Sequence, residues 1–114
     1  MLVKEIEVTE LQSRIASGED IALLDIRGDA EVAQGILPNA EHVEMNTIPL
    51  HLQDLPQNKD IVVYCRSGVR SYHACEFMHQ QGITNVLNLR GGIIAWAQQG
   101  YEVVRPQKVP MSGQ

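Results

Sequence analysis

Cysteine is scarce in this 114-residue chain, which has two, Cys65 and Cys75, and no paired C-x-x-C units. That excludes a disulfide framework, and with only four scattered histidines it excludes a zinc site of recognisable spacing. Both thiols are expected to be reduced. Long apolar runs are also missing. No stretch approaches membrane-spanning length, and Met1 to Thr9 carries Lys4, Glu5 and Glu7 where a signal peptide needs an unbroken apolar stretch. The expectation is a cytoplasmic protein that does not engage a membrane. Positive charge is not in excess either: the formal net charge of -5 opposes a polyanion and argues against non-specific nucleic-acid binding. A small anion drawn to a local basic pocket is compatible with that balance. Internal repeats and low-complexity blocks are absent.

What is there fits one compact domain: 44% of the residues are hydrophobic, enough for a core that needs no covalent staples. Residues 1–104 are expected to form it. The tail from Arg105 to Gln114, with Pro106, Pro110 and Gly113, is expected to be flexible.

Short β-branched runs alternate with helical stretches along the chain. Ile6 to Val8 reads as a weak strand, and Thr9 followed by Gln12 as a capping box opening a helix that Gly18 stops. Ile21 to Leu24 is a buried strand, Asp25 to Ala33 a strand end passing into a short helix, and Gly35 to Asn39 a turn leading to a strand near His42 to Glu44. Pro49 to Leu55 is a brief helical connector closed by Pro56. Asp60 to Tyr64 is a strand, Ser71 to Gln81 a helix, Asn85 to Leu89 a strand, and Ile93 to Gln99 a last short helix after Gly91-Gly92. Continuous apolar strands separated by helices predict an α/β fold with a central, mostly parallel sheet and helices on both faces.

The chemistry concentrates at Cys65-Arg66-Ser67-Gly68-Val69-Arg70-Ser71, between an apolar strand and a helix. A thiol there lies at the carboxyl end of a sheet strand, where open α/β folds form ligand crevices. Ser67 and Gly68 allow a tight curl that turns backbone N–H groups toward one atom, and the following helix adds its positive end. Flanked by Arg66 and Arg70, a thiol that titrates near ~8.5 when free can fall to roughly 3.5–7.5. Cys65 is therefore the candidate nucleophile. Most free cysteines are small buried hydrophobes, but the two arginines argue against that role here.

At these residues the chain resembles the single-domain rhodaneses, which are thiosulfate or persulfide sulfurtransferases. Leu23-Leu24-Asp25-Ile26-Arg27 resembles the family's L-[LI]-D-[VI]-R strand, and Gly35-Ile36-Leu37-Pro38-Asn39-Ala40 its G-H-I-P-G-A turn. Ile61 to Ser71 matches the active-site strand and loop, and Asn85 to Leu89, Gly91-Gly92 and Ala95-Trp96 match the closing signature. Ile36 replaces the usual histidine, Asn39 the usual glycine, and Val32 the usual aromatic after Glu31. The resemblance implies double displacement, for which no metal and no organic cofactor is expected. The Cys65 thiolate attacks the outer sulfur of a small anionic donor such as thiosulfate, and sulfite leaves. A thiol, cyanide or a sulfur-carrying protein then takes sulfur from the Cys65 persulfide. The N–H groups from Arg66 to Ser71 would stabilise the persulfide, and Arg66 or Arg70 the sulfonate.

Cysteine phosphatases and arsenate reductases share a strand-end cysteine, an anion loop and an arginine. They use C-x5-R, whereas Arg70 closes C-x4-R after Tyr64, a loop better sized for sulfur than for a tetrahedral phosphate. A protein-interaction or sulfur-relay module is the other alternative. Around the loop, Asp25 and Arg27 are expected to brace it or to tune Cys65 from behind. Arg90 either lines the pocket or is solvated. Cys75 is expected in the core, with a resolving role as the alternative, and Trp96 is a core anchor. His73 and His79 are expected to be exposed or capping, and His42 and His51 carry no signal.

Overall fold

The computed structural model describes residues 2–106. Five short strands, β1 (Glu5–Ile6), β2 (Ala22–Asp25), β3 (Glu41–His42), β4 (Ile61–Tyr64) and β5 (Val86–Leu89), form one sheet in the order β1-β5-β4-β2-β3. All its pairings are parallel, in register Leu24↔Val63 between β2 and β4 and Val63↔Asn88 between β4 and β5. Parallel neighbours need crossovers, and helices α1 (Val8–Ala16), α2 (Asp29–Val32), α3 (Ile48–His51), α4 (Val69–Gln80) and α5 (Gly92–Gln98) lie in the connections or close the chain.

Alternation along the strands sorts the core into two clusters. Ile61 and Val63 of β4, then Cys65, join Leu24, Ile48 and the Ala74, Cys75 and Met78 face of α4. Val62 and Tyr64 point the other way, to Leu11 of α1 and Trp96 of α5. Burying each of these large apolar side chains is worth about 1.5–3 kcal/mol. The same alternation sends Asn88 of β5 to the α4 face, with Cys65, and Asp25 of β2 to the opposite one.

Some details differ from the sequence expectation, among them the first strand, which is Glu5–Ile6 rather than Ile6 to Val8, and the last helix, which opens at Gly92 rather than Ile93. The helix after β1 starts at Val8, with Glu7 as its N-cap and no side-chain capping bond, so the Thr9–Gln12 box does not form. Starting there buries Val8 and Leu11, one turn apart, and leaves Thr9 exposed. The edge strand ends at His42. Beyond it the Val43 N–H still donates to the Asp25 carbonyl (2.9 Å) and the Met45 N–H to that of Ile26 (3.1 Å), before a 3-10 turn over Met45–Thr47. The helix after Cys65 opens at Val69 rather than Ser71, because Gly68 takes a left-handed φ of 98° as its N-cap. Val69, Arg70 and Ser71 thus form a first helical turn, and the loop proper is Cys65 to Gly68. Near the end of the described residues, Ile36 and Val104 form an antiparallel bridge. The expected tail lies outside the described residues from position 107 onward.

The departures from the family pattern have a local account. Asn39 stands at φ 67°, a conformation asparagine tolerates better than most non-glycine residues. Ile36 is held by the Val104 bridge, and Val32 is buried.

Candidate active site

Cys65 follows β4 directly and is 1% exposed. The chain curls back over it through Arg66, Ser67 and Gly68, and the curl is tied from below. The first N–H groups of α5 donate to its carbonyls, Ile93 to Cys65 (3.0 Å) and Ile94 to Arg66 (3.1 Å). A Cβ at Gly92 would lie 2.4 Å from the Arg66 carbonyl oxygen and 2.5 Å from that of Cys65, so only glycine admits this approach.

With its carbonyls engaged, the loop turns N–H groups to the sulfur. Gly68 N–H donates to Cys65 Sγ at 3.1 Å, Ser71 N–H at 3.4 Å, and the Ser71 hydroxyl lies at 3.3 Å. Burial pushes the thiol up and is the largest single influence. The Ser71 hydroxyl, with the N–H groups of Ser71, Gly68 and Ser67, outweighs it and holds Cys65 below the ordinary thiol range. These donors favour the anionic form of the sulfur.

Behind Ser71 stands Asn88, a residue the sequence reading did not single out. Its Nδ2 donates to the Gly68 carbonyl (3.1 Å) and to Glu5 Oε2 (2.9 Å), which fixes the amide with Oδ1 facing Ser71. Ser71 Oγ lies 2.5 Å from that oxygen. A hydroxyl has one proton, so Ser71 cannot donate to Asn88 and to Cys65 together. It lies within reach of both acceptors and donates to one of them at a time. A single polar residue inside the apolar run of β5 was the available sequence signal.

Of the two arginines expected to make the site cationic, Arg70 has a carboxylate partner, and so do Arg27 and Arg90 nearby. Arg70 makes a bidentate pair with Glu31 of α2, Nη1 to Oε1 at 2.8 Å and Nη2 to Oε2 at 2.7 Å. The Arg70 fork holds the Glu31 carboxyl down at about 2, and Glu31 raises Arg70 in turn. Arg27 is buried against Asp25 (Nη2 to Oδ2, 2.7 Å) and also donates to the Gly35 carbonyl. Burial lowers the Arg27 guanidinium, but the hydrogen bond and charge of Asp25 leave it raised on balance. This pair faces away from Cys65. With the Tyr64 hydroxyl, which accepts the Leu37 N–H at 3.0 Å, it braces the 35–37 turn. Burial, then the nearby Asp25 carboxylate, push the Tyr64 phenol up. Arg90 is exposed and pairs with Glu7 at 3.2 Å. Arg66 is exposed and has no carboxylate partner among the described residues.

Ser67 and Val69 are exposed beside the curl. Cys75 is fully buried one turn beyond Ser71, and burial, with Glu5 and Cys65 nearby, pushes its thiol up to about 12. His73 is exposed and pairs with Glu76, and His42 Nε2 lies 2.6 Å from the Arg27 carbonyl oxygen. Among the described residues no group of three or more His, Cys, Asp or Glu side chains could hold a metal ion, and no helix is long and apolar enough to cross a membrane.

A five-stranded parallel sheet with a strand-end cysteine under a tight loop is an α/β arrangement with counterparts among known proteins. Residues 7–99 match the rhodanese-like domain family, and the chain belongs to it. A sulfurtransferase of Allochromatium vinosum is 50% identical over 93% of this chain and 99% of its own. YtwF of Bacillus subtilis is 41% identical over 84% of this chain and 92% of its own. Among solved structures, a rhodanese-like domain protein from Staphylococcus aureus superposes with a TM-score of 0.81 at 33% identity, covering 91% of this chain and 100% of the other.

Proposed function

We propose that this protein is a sulfurtransferase that carries sulfane sulfur as a persulfide on Cys65. It takes the sulfur from thiosulfate or a thiol persulfide and passes it to a thiophilic acceptor, a thiol, cyanide or a sulfur-carrying protein. The observation that carries the reading is the convergence of three donors, Gly68 N–H, Ser71 N–H and Ser71 O–H, on one buried sulfur. Family membership and the relative named as a sulfurtransferase support it.

With thiosulfate, Cys65 Sγ forms a bond to the sulfane sulfur, the sulfur–sulfur bond of the donor breaks, and sulfite leaves with the electron pair. The persulfide anion then lies over the N–H groups that held the thiolate. These are fixed dipoles aimed where negative charge sits throughout the cycle, so no reorganisation is required at the moment of transfer. No general base is needed once the thiol is ionised. Asp25, Arg27 and Tyr64 support this arrangement from the opposite face of the sheet.

Intact-protein mass spectrometry of wild type and Cys65→Ser, after brief incubation with each donor and then with cyanide, tests the proposal. The expected result is a gain of one sulfur atom on wild type alone, reversed by cyanide. Sulfur gain on folded Cys65→Ser, or none on reduced wild type with either donor, would sink it.

A further inference from the structure

Four arginines, Arg27, Arg66, Arg70 and Arg90, lie in or beside the segments that build the site, yet little of their charge is free to receive a donor. Arg27 belongs to Asp25 and Arg90 to Glu7. Arg70, at the start of α4, has both fork nitrogens occupied by the two oxygens of Glu31. Glu31 is held from its own side as well, since Oε1 also accepts the Gly28 N–H at 3.3 Å. A second carboxylate adjoins: Glu44 Oε2 and Glu31 Oε1 would lie 4.0 and 3.9 Å from a Cβ built at Gly28. Of these four, Arg66 is the guanidinium left without a carboxylate partner among the described residues.

Resting on the sulfurtransferase reading, we infer that Glu31 is a donor-selecting residue. By occupying the Arg70 fork it disfavours dianionic donors such as thiosulfate and favours donors whose sulfane sulfur is carried on a thiol.

The argument is one of geometry and charge. A planar guanidinium engages a carboxylate bidentately through one edge, and the oxygens of thiosulfate would compete for that same edge. To reach Arg70, thiosulfate must displace a carboxylate tethered by its own helix, while the Glu31 and Glu44 charges oppose its approach. A protonated persulfide, R–S–SH, needs no anion seat. Cys65 Sγ bonds to its outer sulfur, the R–S to sulfur bond breaks, and R–S⁻ leaves with the electron pair. The proton stays on the transferred sulfur, and no oxidant or reductant is consumed. The charge entering the site is the thiolate's alone, which the Gly68 and Ser71 donors already meet.

The test compares kcat/KM for thiosulfate and for 2-hydroxyethyl persulfide, uncharged outside its sulfur, with cyanide as acceptor. The proteins are wild type, Glu31→Gln, Arg70→Ala and the double variant, each checked for fold by circular dichroism. The ratio of thiosulfate to persulfide use should rise by up to about fivefold in Glu31→Gln, the upper size of one exposed charge contact. That gain should vanish in the double variant, and Arg70→Ala alone should move the ratio much less. A fall in the ratio on Glu31→Gln would overturn the inference, because it would make Glu31 the residue that aims Arg70 at the donor. Equal changes for both donors would overturn it too. Failure of both donors to load sulfur on folded wild type would instead remove the underlying Cys65 reading.

Discussion

Replacing Ser71 with alanine removes the side-chain donor to Cys65 Sγ and leaves the backbone N–H donors in place. A hydrogen bond to a charged group is worth about 1.5–3 kcal/mol. Ser71 gives up its bond to Asn88 to make this one, so the net loss falls in the lower part of that range. At about 1.36 kcal/mol per pKa unit, the Cys65 thiol should rise by roughly one to two units. The direction is fixed by which form the hydroxyl favours. The native fold depresses this thiol, so its ionisation stabilises the fold above the unfolded thiol value near ~8.5, and that contribution is lost as pH falls through the lower native value. Ser71→Ala narrows that window. The assay is the ultraviolet absorbance of the thiolate against pH in the folded protein, paired with the pH dependence of sulfur loading, and both midpoints should move upward together. A midpoint unmoved by more than about 0.3 unit, well below one bond's worth on that scale, would refute the hydrogen-bond account of Cys65.

Gly92→Ala would drive a Cβ into the Arg66 and Cys65 carbonyls. It should destabilise the fold by more than about 1 kcal/mol and raise the Cys65 midpoint, read from thermal unfolding and the same titration. Tyr64→Phe strands the buried Leu37 N–H, costing about 1–3 kcal/mol in denaturant unfolding. It should leave the Cys65 midpoint in place, because Tyr64 lies on the other face of the sheet. Cys75→Ser should load sulfur at the wild-type rate, since a thiol pushed up to about 12 stays protonated at working pH. A large loss in single-turnover transfer would make Cys75 a relay instead.

The parts of the architecture that follow from periodicity were readable in the chain. Ile61 to Tyr64 and Val86 to Leu89 are apolar runs of strand length, and the thiol after the first of them could only lie at the sheet's carboxyl edge. What depended on distant partners was not readable. Arg70 meets Glu31 across 39 positions, so a loop that looks cationic in one dimension has much of that charge neutralised in three. The Thr9–Gln12 box is a sound local pattern that lost to the burial of Val8 and Leu11. Asn88 was passed over because one polar residue in a strand does not reveal which face it occupies, or that Ser71 and Gly68 wait there. Arg90, left open between crevice and solvent, turned to solvent because Glu7 and Glu5 lie beside it on the neighbouring chain segment.

The same geometry weighs against phosphoryl transfer, the other chemistry that a strand-end cysteine and a following arginine invite. A phosphate on that cysteine needs a ring of unengaged N–H groups around three equatorial oxygens and an open guanidinium fork beside them. Here Gly68 N–H and Ser71 N–H already converge on the sulfur itself. The α5 N–H groups of Ile93 and Ile94 hold the carbonyls of Cys65 and Arg66, so the curl cannot widen without breaking those two bonds. The closing arginine is fastened to Glu31. One atom's worth of anion, a thiolate or the outer sulfur of a persulfide, matches what the loop offers. A tetrahedral group would require the loop, the Gly92 contact and the Arg70 pair to give way together.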